Sequence, residues 1–148
     1  MKQPWKIGLL GLYLKLYDDL LPECRPAMEE FYAKIRAEYE KRGVAVVTSA
    51  LVRTQPECAD AVADFEQAGA DAIVTLHLAY SPSLASADVL AASRLPVVML
   101  DTTPDCTFGY DDIGKLMNNH GIHGVQDLGN LLLRRNKAFL IVAGHWQE

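Results

Sequence analysis

Five apolar runs of strand length alternate with segments whose apolar residues recur every three or four positions, and this alternation leaves the chain few folds to choose from. Lys6 to Leu12 is nearly continuous in apolar character, as a strand buried on both faces of a parallel sheet would be. From Pro22 to Arg42 the period changes: Leu21, Cys24, Met28, Phe31, Ile35 and Tyr39 mark one helix face, and Gly43 supplies a stop. Val44 to Val52 predicts a second strand with Arg53 at its end. Thr54-Gln55-Pro56-Glu57 is a capping box opening a helix with Cys58, Ala61, Val62 and Phe65 inside, which closes at Gly69. Ala70 to Leu78 predicts the third strand. Ser81-Pro82 opens a further helix that ends near Arg94, with Leu84, Ala87, Val89, Leu90 and Ala91 as packing positions. Pro96 to Leu100 is the fourth strand, followed by a polar, turn-rich segment from Asp105 to Lys115. A last helix reaches Arg135, and Phe139 to Ala143 is the fifth strand. Strand and helix in alternation mean right-handed βαβ units. The expected fold is α/β: a doubly wound, five-stranded parallel sheet of flavodoxin-like, Rossmann-like order 2-1-3-4-5, with helices on both faces.

The 148 residues suit one domain, 1–148, and half of them are hydrophobic, enough for a full core. A net charge of −5 without a basic stripe argues against nucleic acid. Met1-Lys2-Gln3-Pro4-Trp5 leads straight into the first strand, and no stretch is long enough to span a bilayer, so the expectation is a cytoplasmic chain off the membrane. Three widely spaced cysteines, Cys24, Cys58 and Cys106, suggest neither a disulfide framework nor a zinc site. Cys24 and Cys58 fall on apolar helix faces. No helix follows the fifth strand to cover that side of the sheet, which reads as a truncated domain.

Ligands of open parallel sheets bind outside the carboxyl ends of the strands. Topology therefore gathers Tyr13, Lys15 and Tyr17 from the first strand, and His77 and Tyr80 from the third. Asp101, Thr102 and Thr103 come from the fourth, Asn119, His120 and His123 from the start of the last helix, and His145 from the fifth. All four histidines belong to this edge. The densest stretch is Asn118-Asn119-His120-Gly121-Ile122-His123-Gly124-Val125-Gln126-Asp127, just ahead of the apolar stripe Ile122, Val125, Leu128 and Leu132. Gly121 and Gly124 each cost a helix roughly 1 kcal/mol against alanine, so they need a reason. That reason is either close approach of a ligand or a tight contact with a neighbouring backbone. The chain lacks G-x-G-x-x-G, Walker A and G-x-S-x-G patterns, which disfavours dinucleotides, triphosphates and a nucleophilic serine.

The runs Gly8-Leu9-Leu10-Gly11-Leu12-Tyr13, Thr75-Leu76-His77-Leu78-Ala79-Tyr80-Ser81-Pro82 and Leu100-Asp101-Thr102-Thr103-Pro104, and above all Met117 to Asp127, resemble the N-terminal domain of the L-fucose/L-arabinose isomerase family. The resemblance covers essentially the whole chain. It implies an aldose–ketose isomerase of carbohydrate metabolism that uses a divalent ion, usually Mn2+, held with the acid/base carboxylates in later domains that this chain lacks. It also implies a homo-oligomer in which this domain closes the site of a neighbouring subunit, so its partners are a sugar or polyol and the other domains or subunits. Arabinose isomerases carry a histidine–glycine motif that reaches the sugar, and His123-Gly124 matches it. Lys15 and Tyr17 are the counterparts of polar sugar contacts from the first loop, although that loop departs from the arabinose isomerase pattern.

The substrate-binding residues expected are thus Lys15, Tyr17, His77, Tyr80, Asp101, Asn119, His120 and His123, with no catalytic residue, metal ligand or cofactor in this chain. Isomerisation needs a metal to polarise the substrate oxygens and carboxylates to move protons, and no glutamate pair stands at any predicted strand end. Turnover by the chain alone is therefore not expected. Two other readings stay open. One is a free-standing flavodoxin-like module for a small metabolite or a protein partner. The other is a small metal-dependent enzyme built on His77, Asp101, His120 and His123.

Overall fold

A computed structural model describes residues 4–107, 109 and 113–147; residues 1–3, 108, 110–112 and 148 lie outside the described set, and with them part of the turn-rich segment. Five parallel strands form one sheet in the order β2-β1-β3-β4-β5: β1 Lys6–Leu12, β2 Ala45–Thr48, β3 Ala72–His77, β4 Val97–Asp101 and β5 Phe139–Ala143. The helices are α1 Lys15–Leu20, α2 Arg25–Lys41, α3 Gln55–Gln67, α4 Ala87–Ala92, α5 Ile113–Asn118 and α6 Gly121–Arg134. The doubly wound α/β fold is as expected. No helix among the described residues is long and apolar enough to cross a membrane.

Alternation along each strand divides the core in two. Leu10, Leu12, Ile73, Val97 and Met99 meet Phe65, Leu90, Val125, Leu128 and Leu132 from α3, α4 and α6. On the other face Ile7, Leu9, Val74 and Leu76 meet Met28, Phe31, Tyr32 and Ile35 of α2. A buried side chain of this size contributes about 1.5–3 kcal/mol. Because α2 is the one long helix packed on its face, β4 and β5 stay partly open there. Register pairs Val98 with Leu140 and Leu100 with Val142, and Leu140 and Val142 are 67% and 52% exposed. Ile35, Tyr39, Leu100, Val142 and Trp146 line a groove of about 370 Å³ beside them. Trp146 is half-buried and donates from Nε1 to Pro104 O at 3.3 Å.

Local chemistry explains the boundaries. The Thr54 side chain caps α3 by accepting from the Glu57 N–H, while the Glu57 carboxylate accepts from the Arg53 N–H at 2.7 Å. Gly43 and Gly69 end α2 and α3 at φ 79° and 70°, where a side chain would be strained. Four expectations need correction. The second strand stops at Thr48, because the Ser49 N–H turns to the Tyr32 hydroxyl at 3.2 Å. It touches β1 again through a single bridge, Leu12 with Val52. The segment after β1 is a short helix, α1, not a loop. The helix expected from Ser81-Pro82 is a 3-10 turn, Ser83–Ala85, then the short α4, since Ser86 bonds back to Ser83 and Ser83 Oγ donates to Gly124 O. Leu84 and Ile122, both expected to pack, are exposed at 72% and 38%.

Candidate functional site

The carboxyl edge of the sheet gathers side chains from three elements into a continuous rim. Tyr17 on α1 is half-buried, with its ring 5.7 Å from that of Tyr13. Burial raises the Tyr17 phenol, and a backbone hydrogen bond from Tyr80 acts in the opposite direction. Tyr80 follows Ala79, which takes the left-handed conformation at φ 54°. Its ring lies 6.0 Å from His120, and His120 lies 4.3 Å, edge to face, from His123. The Tyr80 hydroxyl donates to Asp127 Oδ2 at 3.1 Å. Burial raises the Tyr80 phenol, and the bond to Asp127 raises it further.

Beneath this rim lies His77, 3% exposed. Its Nδ1 is 2.9 Å from Ser81 Oγ and its Nε2 3.3 Å from Thr75 Oγ1. Burial pushes the imidazole down to about 3, so it is neutral. A β-carbon on Gly121 would stand 2.6 Å from His77 O, and one on Gly124 2.6 Å from His77 Nδ1 and 2.8 Å from Ser81 Oγ. Of the two readings of these glycines, the close neighbour is therefore the end of β3. The glycines let α6 settle onto His77; at its start His120 is half-buried and His123 exposed.

The remaining candidates fall in different places. Lys15 is exposed at the start of α1. Asp101 is half-buried at the end of β4, and burial raises its carboxyl. Asn119, 6% exposed, is engaged on several sides: Oδ1 accepts from the Asp105 N–H at 3.1 Å, while Nδ2 donates to Lys115 O at 2.8 Å and to Asp105 Oδ2 at 3.3 Å. It ties down the segment after β4. Tyr17, Tyr80, His120 and His123 thus come together, whereas His77 is buried against the glycines of α6 and Asn119 is bound to Asp105 and Lys115. A metal set joining His77 to Asp101, His120 and His123 is corrected by this placement, since both His77 nitrogens are engaged inside the core. Among the described residues no group of three or more His, Cys, Asp or Glu side chains is arranged to hold a metal ion.

Two features were missed in the sequence. Asp127 lies one turn beyond His123, and its i, i+4 spacing was the available signal. Asp18 of α1 accepts from both Arg25 and Arg53 at 2.8 Å, joining the segments after β1 and β2. Burial would raise its carboxyl, but the hydrogen bonds from Arg53 and Arg25 outweigh that and hold it below the usual range. Buried hydroxyls of Tyr13 and Thr102 find no partner among the described residues.

No family model matches this sequence, and no curated protein matches it. Among solved structures it is similar to the lac repressor bound to ONPG in the repressed state, at 16% identity and a TM-score of 0.42. That match covers 96% of this chain and 49% of the other, so the chain spans about half the length of the repressor.

Proposed function

We propose that this chain is the substrate-facing N-terminal domain of an aldose–ketose isomerase of the L-fucose/L-arabinose type. In this reading it supplies sugar contacts and interface, while the metal and the acid/base carboxylates belong to other domains. The observation that carries the reading is the rim itself: Tyr17, Tyr80, His120 and His123 meet at the carboxyl edge of a doubly wound sheet. Aromatic rings take the apolar C–H face of a sugar, and phenol, imidazole and carboxylate groups exchange hydrogen bonds with its hydroxyls. The stretch that resembles the family supplies the two rim histidines, and His123-Gly124 pairs an outward imidazole with a glycine packed against β3. In an intact enzyme the metal would polarise the carbonyl and hydroxyl oxygens of the substrate. This chain's residues would bind and orient it.

The test is a titration of the 148-residue chain with L-arabinose and L-fucose, followed by amide and imidazole resonances. Saturable shifts confined to α1, the segment after β3 and the start of α6 are expected. A manganese-dependent aldose-to-ketose assay on the same chain should show no turnover; clear turnover would overturn the division of labour. The interaction-module reading is favoured by one feature, the exposed Leu140 and Val142 beside the groove at Trp146.

A further inference from the structure

We propose that Asp127 is a ligand-binding residue of this rim and that Tyr80 is the residue that positions it; the inference rests on the sugar-facing reading above. Asp127 is exposed on α6, one turn after His123 and on the same side of the helix. Its Oδ2 accepts from the Tyr80 hydroxyl at 3.1 Å, and no hydrogen bond reaches Oδ1 from the described residues. An ionised carboxylate only accepts hydrogen bonds and has about four lone-pair sites, so most of its capacity faces outward. It suits a pair of neighbouring hydroxyls, each donating to one oxygen, in charge-assisted bonds stronger than neutral ones.

The other groups fit the same occupant. Tyr80 touches Asp127 through its hydroxyl and faces His120 through its ring, and His120 meets His123 edge to face. These four side chains bound one patch with a carboxylate acceptor on one side and aromatic surface on the other. A polyol presents hydroxyls on one side and C–H groups on the other, and would lie across it. The role assigned to Tyr80 is to restrict the Asp127 rotamer, so that less freedom is lost on binding.

The experiment is the L-arabinose and L-fucose titration of the full chain, repeated on Asp127→Asn, Asp127→Glu, Tyr80→Phe and the neighbouring control Gln126→Ala. Each variant is first checked for an unchanged thermal midpoint and amide fingerprint. Asp127→Asn should weaken binding about 10-fold or more, because the amide replaces one acceptor with a donor and removes the charge. Tyr80→Phe should weaken it by roughly 3-fold, Asp127→Glu should retain a measurable part, and Gln126→Ala should match the parent. A parent chain that binds neither sugar removes the sugar-facing reading, and this inference with it. A parent that binds while Asp127→Asn binds equally well overturns the role of Asp127 alone. Equal loss in Asp127→Glu and Asp127→Asn, with Tyr80→Phe unaffected, overturns the positioning role of Tyr80.

Discussion

A β-carbon on Gly121 would stand 2.6 Å from the carbonyl oxygen of His77, so α6 rests directly on the end of β3. Alanine there should destabilise the chain. The helix gains up to about 1 kcal/mol of propensity from the substitution, but overpacking against a backbone atom costs roughly 1–3 kcal/mol. The net effect is a loss, read as a lower urea midpoint. Gly129 is the internal control, since its β-carbon would meet Phe139 and Met99 at 3.5 and 3.6 Å, ordinary contact distances. Gly129→Ala should be neutral or stabilising by up to about 1 kcal/mol. Equal losses at Gly121 and Gly129 would contradict the seating of the helix.

Folding stability should fall as the solution is acidified below the ordinary histidine range. Burial holds His77 down to about 3, so the folded chain resists a proton that the unfolded chain accepts near 6.5. Between those two values the unfolded state binds the extra proton, and stability declines by an amount on the order of a few kcal/mol. Urea midpoints measured across that window check the slope. An NMR titration of the His77 ring should show no protonation while the chain stays folded.

Tyr32 donates its hydroxyl to Leu9 O at 2.7 Å inside the α2 face and accepts from the Ser49 N–H. Tyr32→Phe leaves both backbone groups short of a partner, and a loss of about 1–3 kcal/mol is expected by thermal or urea unfolding. An unchanged midpoint would mean that the end of β2 does not depend on this bond.

Leu140→Lys and Val142→Lys test the open side of the sheet. Both positions are more than half exposed, so each change should move stability by no more than about 0.5 kcal/mol. Binding of a hydrophobic dye such as ANS should drop in the double variant. Severe destabilisation would show that these side chains are covered in the folded protein.

The strand–helix alternation carried the topology, because buried parallel strands are continuous in apolar character while the helices keep a 3.6-residue period. Local serine chemistry was harder to see: Ser83 and Ser86 bond to nearby backbone and break a helix that spacing alone favoured. His120 and His123 were legible as a pair because three residues is less than one helical turn. The burial of His77 was not, since its surroundings come from Gly121 and Gly124, more than forty positions along the chain. Nor was Asp127, whose partner Tyr80 is brought to it by the crossover of β3 to β4 and α6.

Ala79 turns left-handed, a conformation that costs an L-residue roughly 1–2 kcal/mol, and it is buried in the same core cluster as Met28 and Phe31 of α2. The bend that launches Tyr80 thus sits within the core that α2 fills, and the backbone would not choose it unaided. Repacking Met28 or Phe31 should therefore re-aim a phenol on the outside of the molecule, so that interior volume acts as a tuning screw for the ligand-facing surface.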